Sequence, residues 1–231
     1  KLFSIINSNN LYQLLNNSLK KNNKFKKIKI KNKLFYSQIL KNKKFNLIIN
    51  CEANNFISNK FFYKKIYKNY KSYAYATTIK HNIIKNNKAI QIFTKYGPLA
   101  FLPISKSETS IVFSIKNKSL KIKSKLSKME FNQLIKENNK DYKIKTINDF
   151  ESFKLNSKIL RNYYYKNIMM FGDNLHQIHP LSGQGFNMTL RDIKILLNLI
   201  NNKEDLGLKI DNSIYEEFEK RTKHLNFLFA S

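Results

Sequence analysis

The chain has 231 residues, 42 % of them hydrophobic, which is enough for one large core or two smaller ones and excludes wholesale disorder. The formal net charge of +28 is almost all lysine, since arginine occurs only at Arg161, Arg191 and Arg221. Without the guanidinium fork that reads bases and phosphates bidentately, this charge argues against nucleic acid and for solvated lysines in a composition also rich in asparagine. One cysteine, Cys51, excludes an internal disulfide framework, and no apolar run nears the roughly 18 residues of a membrane span.

In chain order, Leu11, Leu14, Leu15 and Leu19 fall at helical spacing and predict a helix over 11–20. From Phe25 onward Ile28 and Ile30 alternate with lysines, which predicts a strand with one solvated face. FNLIIN (45–50) reads as a short buried strand ending at Cys51, a core position. Residues 73–79, 89–94, 99–104 and 109–115 are β-rich runs separated by polar turns, as in an antiparallel sheet. A helix is expected over 128–139, and NIMMF (167–171) reads as a buried strand broken at Gly172. Phe186, Leu190, Ile193, Leu197 and Ile200 then follow at steps of four, three, four and three, the packing stripe of a helix. A last helix should open at Ser213 with Glu216 as its capping-box partner and Tyr215, Phe218, Leu225 and Phe229 on its apolar side. The mixture is α/β, arranged as interleaved layers.

The chemistry concentrates in GDNLHQIHPLSGQGFNMTLRD, Gly172 to Asp192. A strand, Gly-Asp, a loop, then Gly-Gln-Gly opening a helix suits an electron-rich ligand. Gly183 and Gly185 let backbone approach it closely, and the helix start aims free N–H groups and a positive dipole end at the loop. Asp173, just past a buried strand, stands where an α/β sheet presents ligand-contacting groups and can accept bonds from ligand hydroxyls.

This segment resembles the flavin-binding motif of the ubiquinone-biosynthesis hydroxylases, flavin monooxygenases related to para-hydroxybenzoate hydroxylase. It matches at Gly172, Asp173, His176, His179, Pro180, Gly183, Gln184, Gly185, Asn187, Arg191 and Asp192, and departs at Asn174, Leu175, Ser182 and Thr189. FTKYGPLAFLPIS (93–105) and YKSYAYATTI (70–79) resemble strands of the same family, so the likeness runs from about residue 40 to 231. It implies part of a Rossmann-like FAD-binding domain (1–66 and 151–231) and an antiparallel-sheet substrate domain (67–150). It implies FAD, with Gly172, Asp173, Gln184 and Phe186 among its contacts. Asp173 would meet the ribityl or pyrophosphate region, the Pro180–Gly183 backbone the isoalloxazine face, and the Gly185–Asn187 helix start its pyrimidine edge. There the dipole would stabilise the reduced ring by about 0.3–2 kcal/mol. The implied reaction hydroxylates the ring of a polyprenylated phenol with NAD(P)H as reductant and O2, needs no obligatory acid–base residue, and uses an apolar wall near Pro98, Leu99 and Phe101.

Two departures bear on the cofactor. The family opens on a glycine-rich dinucleotide turn, whereas here no glycine precedes Gly97; the sequence reads as a fragment beginning after that βαβ unit. The family's middle Asp-Gly pair reads Glu52-Ala53. The alternative reading is therefore a relative that keeps the fold and binds no flavin. His176 and His179 lack a third ligand at metal spacing and read as loop-packing residues, His81 and His224 as surface ones. Ser182, His179 and Asp173 lack a nucleophile elbow, so no nucleophilic triad is assigned. The expected setting is cytoplasmic. An anionic membrane face, where each nearby lysine contributes about 1 kcal/mol, and a ubiquinone-biosynthesis complex are further contacts this reading admits.

Overall fold

A computed structural model describes residues 6–30, 34–41, 45–116, 126–177 and 184–228. The chain runs through helices α1 (Ser8–Lys20) and α2 (Leu34–Lys41), strand β1 (Ile48–Asn50), helix α3 (Phe56–Phe61), and the long strand β2 (Lys65–His81). Strands β3 (Ile90–Thr94), β4 (Gly97–Pro103) and β5 (Glu108–Lys116) precede helix α4 (Lys128–Asn138). Strands β6 (Ile144–Ile147), β7 (Glu151–Leu160), β8 (Tyr164–Tyr165) and β9 (Ile168–Met170) lead to a 3-10 turn (Gly172–Asn174). Strand β10 (His176–Gln177) and helices α5 (Gln184–Asp205) and α6 (Ser213–Leu228) complete it. Two compact units form, Lys1–Lys29 with Lys71–Lys154, and Ile30–Tyr70 with Leu155–Ser231.

The first unit is built on antiparallel pairing of β3 with β4, β4 with β5, and β5 with β2, as the alternating sequence runs predict. Strand alternation sends Tyr75, Thr77, Ile79 and His81 to one face of β2, opposite Phe113 and Ile111 of β5 and, beyond them, Leu99 and Phe101 of β4. Helix α4 covers that face with Phe131, Leu134 and Ile135. Its N-terminus is a complete capping box: Ser127 accepts from the Glu130 amide, and Glu130 accepts from the Ser127 amide at 2.8 Å. His81 is not a surface residue. The same alternation carries it inward, where Nδ1 donates to the Asn82 carbonyl (2.7 Å) and Nε2 accepts from the Thr109 hydroxyl (2.9 Å). Gly97 has φ +143°, and a β-carbon there would lie 2.1 Å from the Ser114 carbonyl oxygen, so conformation and close approach both require glycine.

Helix α1 forms where the leucine spacing predicts, yet buries none of its residues. The strand expected through Ile28 and Ile30 does not form: residues 25–30 have no regular structure, and the chain next turns helical in α2. Tyr36 and Leu40, four residues apart, pack onto the core of the second unit, a helical spacing that the lysine alternation upstream obscures.

In the second unit β1 pairs β9 in parallel, from Ile48 opposite Ile168 to Asn50 opposite Met170, and β8 adds antiparallel to β9. Met169, Met170, Tyr163, Leu196, Leu199, Tyr215 and Phe218 form its core, and the Tyr215 hydroxyl donates to the Ile48 carbonyl at 3.2 Å. Cys51, one residue beyond the strand, is exposed rather than core. Helix α5 forms as predicted but turned about its axis. It buries Met188, Asp192, Leu196 and Leu199 and leaves Phe186, Leu190, Ile193 and Leu197 between 40 % and 51 % exposed, while Ile200, the last of the predicted stripe, packs against the core. Two apolar rows share the helical period, and spacing alone does not say which one meets the core. Helix α6 buries Tyr215 and Phe218, but Ser213 lies inside it; Asp211 accepts from the Ser213 amide (3.2 Å) and hydroxyl (2.7 Å) in place of the expected box.

Candidate functional site

Parallel strands end together, and such sheets bind ligands just beyond their carboxyl ends. Here those ends are Asn50 and Met170, tied by the Phe171 amide donating to the Asn50 carbonyl at 3.0 Å. After β9 the chain enters the Gly172–Asn174 turn, with Gly172 at φ +67°. A β-carbon at Gly172 would meet nothing within 4 Å, so glycine serves the left-handed conformation there and leaves open space. Leu175, fully buried, anchors the turn through its amide, which donates to the Gly172 carbonyl at 2.9 Å. Asp173 is exposed, and no group among the described residues bonds to its carboxylate.

The turn packs against β10 and α5. Helix α5 begins at Gln184, partly exposed like Gly185, while Phe186 and Asn187 are exposed. Nothing among the described residues would meet a β-carbon at Gly185 within 4 Å. Thr189 steadies that turn by donating to the Gly185 carbonyl at 3.2 Å. Pro180 and Gly183, with the loop 178–183 between β10 and α5, lie outside the described residues.

After β1, Glu52 and Ala53 occupy a turn that needs no left-handed residue; the described non-glycine residues with positive φ are Lys71 and Lys166. The Asn50 side chain donates to Ser58 Oγ at 2.8 Å and accepts from Asn55 at 2.7 Å, and Asn55 in turn caps α3 at the Ser58 amide, 2.9 Å away. The Glu52 carboxylate accepts from the Tyr36 hydroxyl at 3.0 Å. Desolvation, then Glu52 beside it, raises the Tyr36 pKa above its ordinary value. This side-chain network replaces what a glycine would supply by conformation.

Of the expected wall residues, Leu99 and Phe101 are 0 % and 2 % exposed and fill the core of the first unit, where the Phe101 ring stacks on Tyr142 at 5.5 Å. Strand alternation puts Pro98 on the opposite face with Ala100 and Leu102, all partly exposed. His176, expected as a loop-packing residue, lies in β10, buried against Asp192. A sixteen-residue separation gives no local periodic signal for that pair.

A family model described as squalene epoxidase matches residues 60–228. The ubiquinone hydroxylase UbiL of Rhodospirillum rubrum is 25 % identical over 137 residues, 58 % of this chain and 32 % of that protein. The 3-demethoxyubiquinol 3-hydroxylase of Escherichia coli is 28 % identical over 146 residues, 61 % of this chain and 37 % of that protein. The chain thus spans about a third of the curated relatives it matches. Among solved structures, a probable FAD-dependent monooxygenase of Pseudomonas aeruginosa, pqsL, superposes at TM-score 0.58 with 14 % identity, over 80 % of this chain and 53 % of that one. The flavin-dependent halogenase CmlS superposes at 0.62 with 13 % identity, over 79 % of this chain and 35 % of that one. These likenesses carry the fold.

Proposed function

The chain belongs to the squalene epoxidase family of FAD-dependent monooxygenases, and from that premise we propose that it binds the isoalloxazine and ribityl part of FAD in a hydroxylase acting on a polyprenylated phenol. The observation that carries this reading is the open carboxyl end of β9: an exposed, unengaged Asp173 on a left-handed Gly172, packed on α5, whose first turn is also open. A carboxylate there accepts from ribityl hydroxyls, and the α5 N–H groups favour negative charge on the ring. When bound, the flavin supplies oxygen activation after reduction by NAD(P)H. The protein's part is to orient it, favour its reduced charge and keep water out.

For the substrate we propose the face of the β2–β5–β4 sheet opposite the α4-covered core. Ala76, Val112, Ala100 and Pro98 share it and stay partly exposed, with Ala74 and Ser114 buried beside them, and these compact side chains suit an apolar ring and tail. This moves the expected wall to Pro98 with the neighbours of Leu99 and Phe101. Filling the face with Ala100→Trp should weaken binding of a prenylated phenol at least tenfold and leave flavin affinity unchanged; unaltered phenol binding counts against this face.

A second reading is favoured by one specific fact: Glu52-Ala53 stands after β1 where the resembled family carries an Asp-Gly pair. Under it the chain keeps the family fold and binds no flavin. Fluorescence titration of the purified chain with FAD separates the two. Quenching that saturates, and that Asp173→Ala weakens at least tenfold, supports the flavin site; no quenching at millimolar FAD leaves the second reading standing.

A further inference from the structure

Beside the Gly172–Asn174 turn lies a buried polar chain that the flavin reading does not use. His176 Nε2 stands 2.8 Å from Asp192 Oδ2, and the two side chains are 0 % and 1 % exposed. The other carboxylate oxygen of Asp192 accepts from Arg191 Nε (3.0 Å) and Nη2 (2.7 Å). Arg191 also donates to the Asn226 side chain of α6, and Asn226 donates to the Tyr163 hydroxyl at 3.0 Å. His176 Nδ1 is buried without a partner among the described residues.

We infer that His176 is a positioning residue, its Nε2–H donating to Asp192, which ties β10 to α5 and so fixes the Gly172–Asn174 turn against that helix. A carboxylate only accepts, so the bond to Asp192 places a proton on Nε2. The charged groups facing this network are Asp192 and Arg191 of α5 and, on α6, Glu219, which accepts from the Tyr163 amide at 3.0 Å and from Lys223.

Strand β10 has two residues, paired among the described residues only to Ile159 and Lys158 of β7, so backbone pairing alone holds it weakly. The His176–Asp192 bond joins β10 to α5. It enters β10 two residues after the turn that carries Asp173, and α5 at a residue facing the core.

The inference rests on the proposed flavin site only in what the turn serves, and its test needs no flavin. Nitrogen-15 histidine spectra should show a proton on His176 Nε2 held in a hydrogen bond. An Nε2 that carries no proton overturns the assignment. Hydrogen exchange read by mass spectrometry tests the tie. His176→Gln keeps an N–H donor toward Asp192 and should keep parent rates within about twofold. His176→Phe should speed exchange at least tenfold in peptides covering 171–177 and 184–192, with β4 and β5 unchanged. Loss of protection in the Gln variant, or Gln and Phe variants that exchange alike, overturns the positioning role; should the Phe variant not fold, the Gln variant and the spectra decide. If the tie holds while the parent binds no FAD, the flavin reading fails and this one stands.

Discussion

At the scale of single residues, glycines and buried hydroxyls make the sharpest predictions. Gly97→Ala would drive a β-carbon into the Ser114 backbone at a φ that L-residues avoid, so urea denaturation should show a loss of about 2 kcal/mol or more. Tyr163 is buried beside Asn226, and desolvation pushes its pKa up to about 12 from the ordinary 10.0. The raised folded value means its contribution is complete below pH 10 and is lost as pH rises toward 12, because the unfolded phenol ionises first. Relative to the parent, Tyr163→Phe should therefore gain about 1 kcal/mol between pH 9 and pH 11, measured by paired urea titrations. A constant difference across that window would show the phenol to be less desolvated than its burial implies. Neither Tyr163 nor the buried His176 announces itself in the sequence, because each owes its state to partners dozens of residues away or on another helix.

Elements were legible where their pattern is local. The β-rich runs at 73–79, 89–94, 99–104 and 109–115 become β2 to β5 because strand alternation and turn residues lie within a few positions of each other. NIMMF ending at Gly172 becomes β9 and its left-handed turn for the same reason. What failed depended on tertiary partners. Alternation at Ile28 and Ile30 predicts a strand, but among the described residues no strand pairs with it, and Ile28 stays 55 % exposed. On α5 the sequence offers two apolar rows, and the one with the cleaner spacing faces outward. Leu196→Ala should consequently cost about 2–4 kcal/mol, and Leu197→Gln, one residue along, less than about 0.5 kcal/mol. Equal losses in chemical denaturation would mean that the outward row is covered in solution. Ser127→Ala should remove about 1 kcal/mol by breaking the capping box of α4, a box that forms there and not at Ser213.

For the whole molecule, the proposed ligand site lies at the carboxyl ends of the parallel strands β1 and β9, beside α5. No helix among the described residues is long and apolar enough to cross a membrane. The proposed contacts are an acceptor for ribityl hydroxyls and a helix start for the ring. They make affinity for parts of the cofactor more informative than affinity for the whole. The direct measurement is a fluorescence titration of the purified chain with FAD and with riboflavin, each repeated with ADP in excess. FAD and riboflavin should bind within about threefold of each other, and ADP should displace neither. Displacement by ADP, or riboflavin that fails to bind where FAD does, would contradict a site built for the ring and ribityl chain alone.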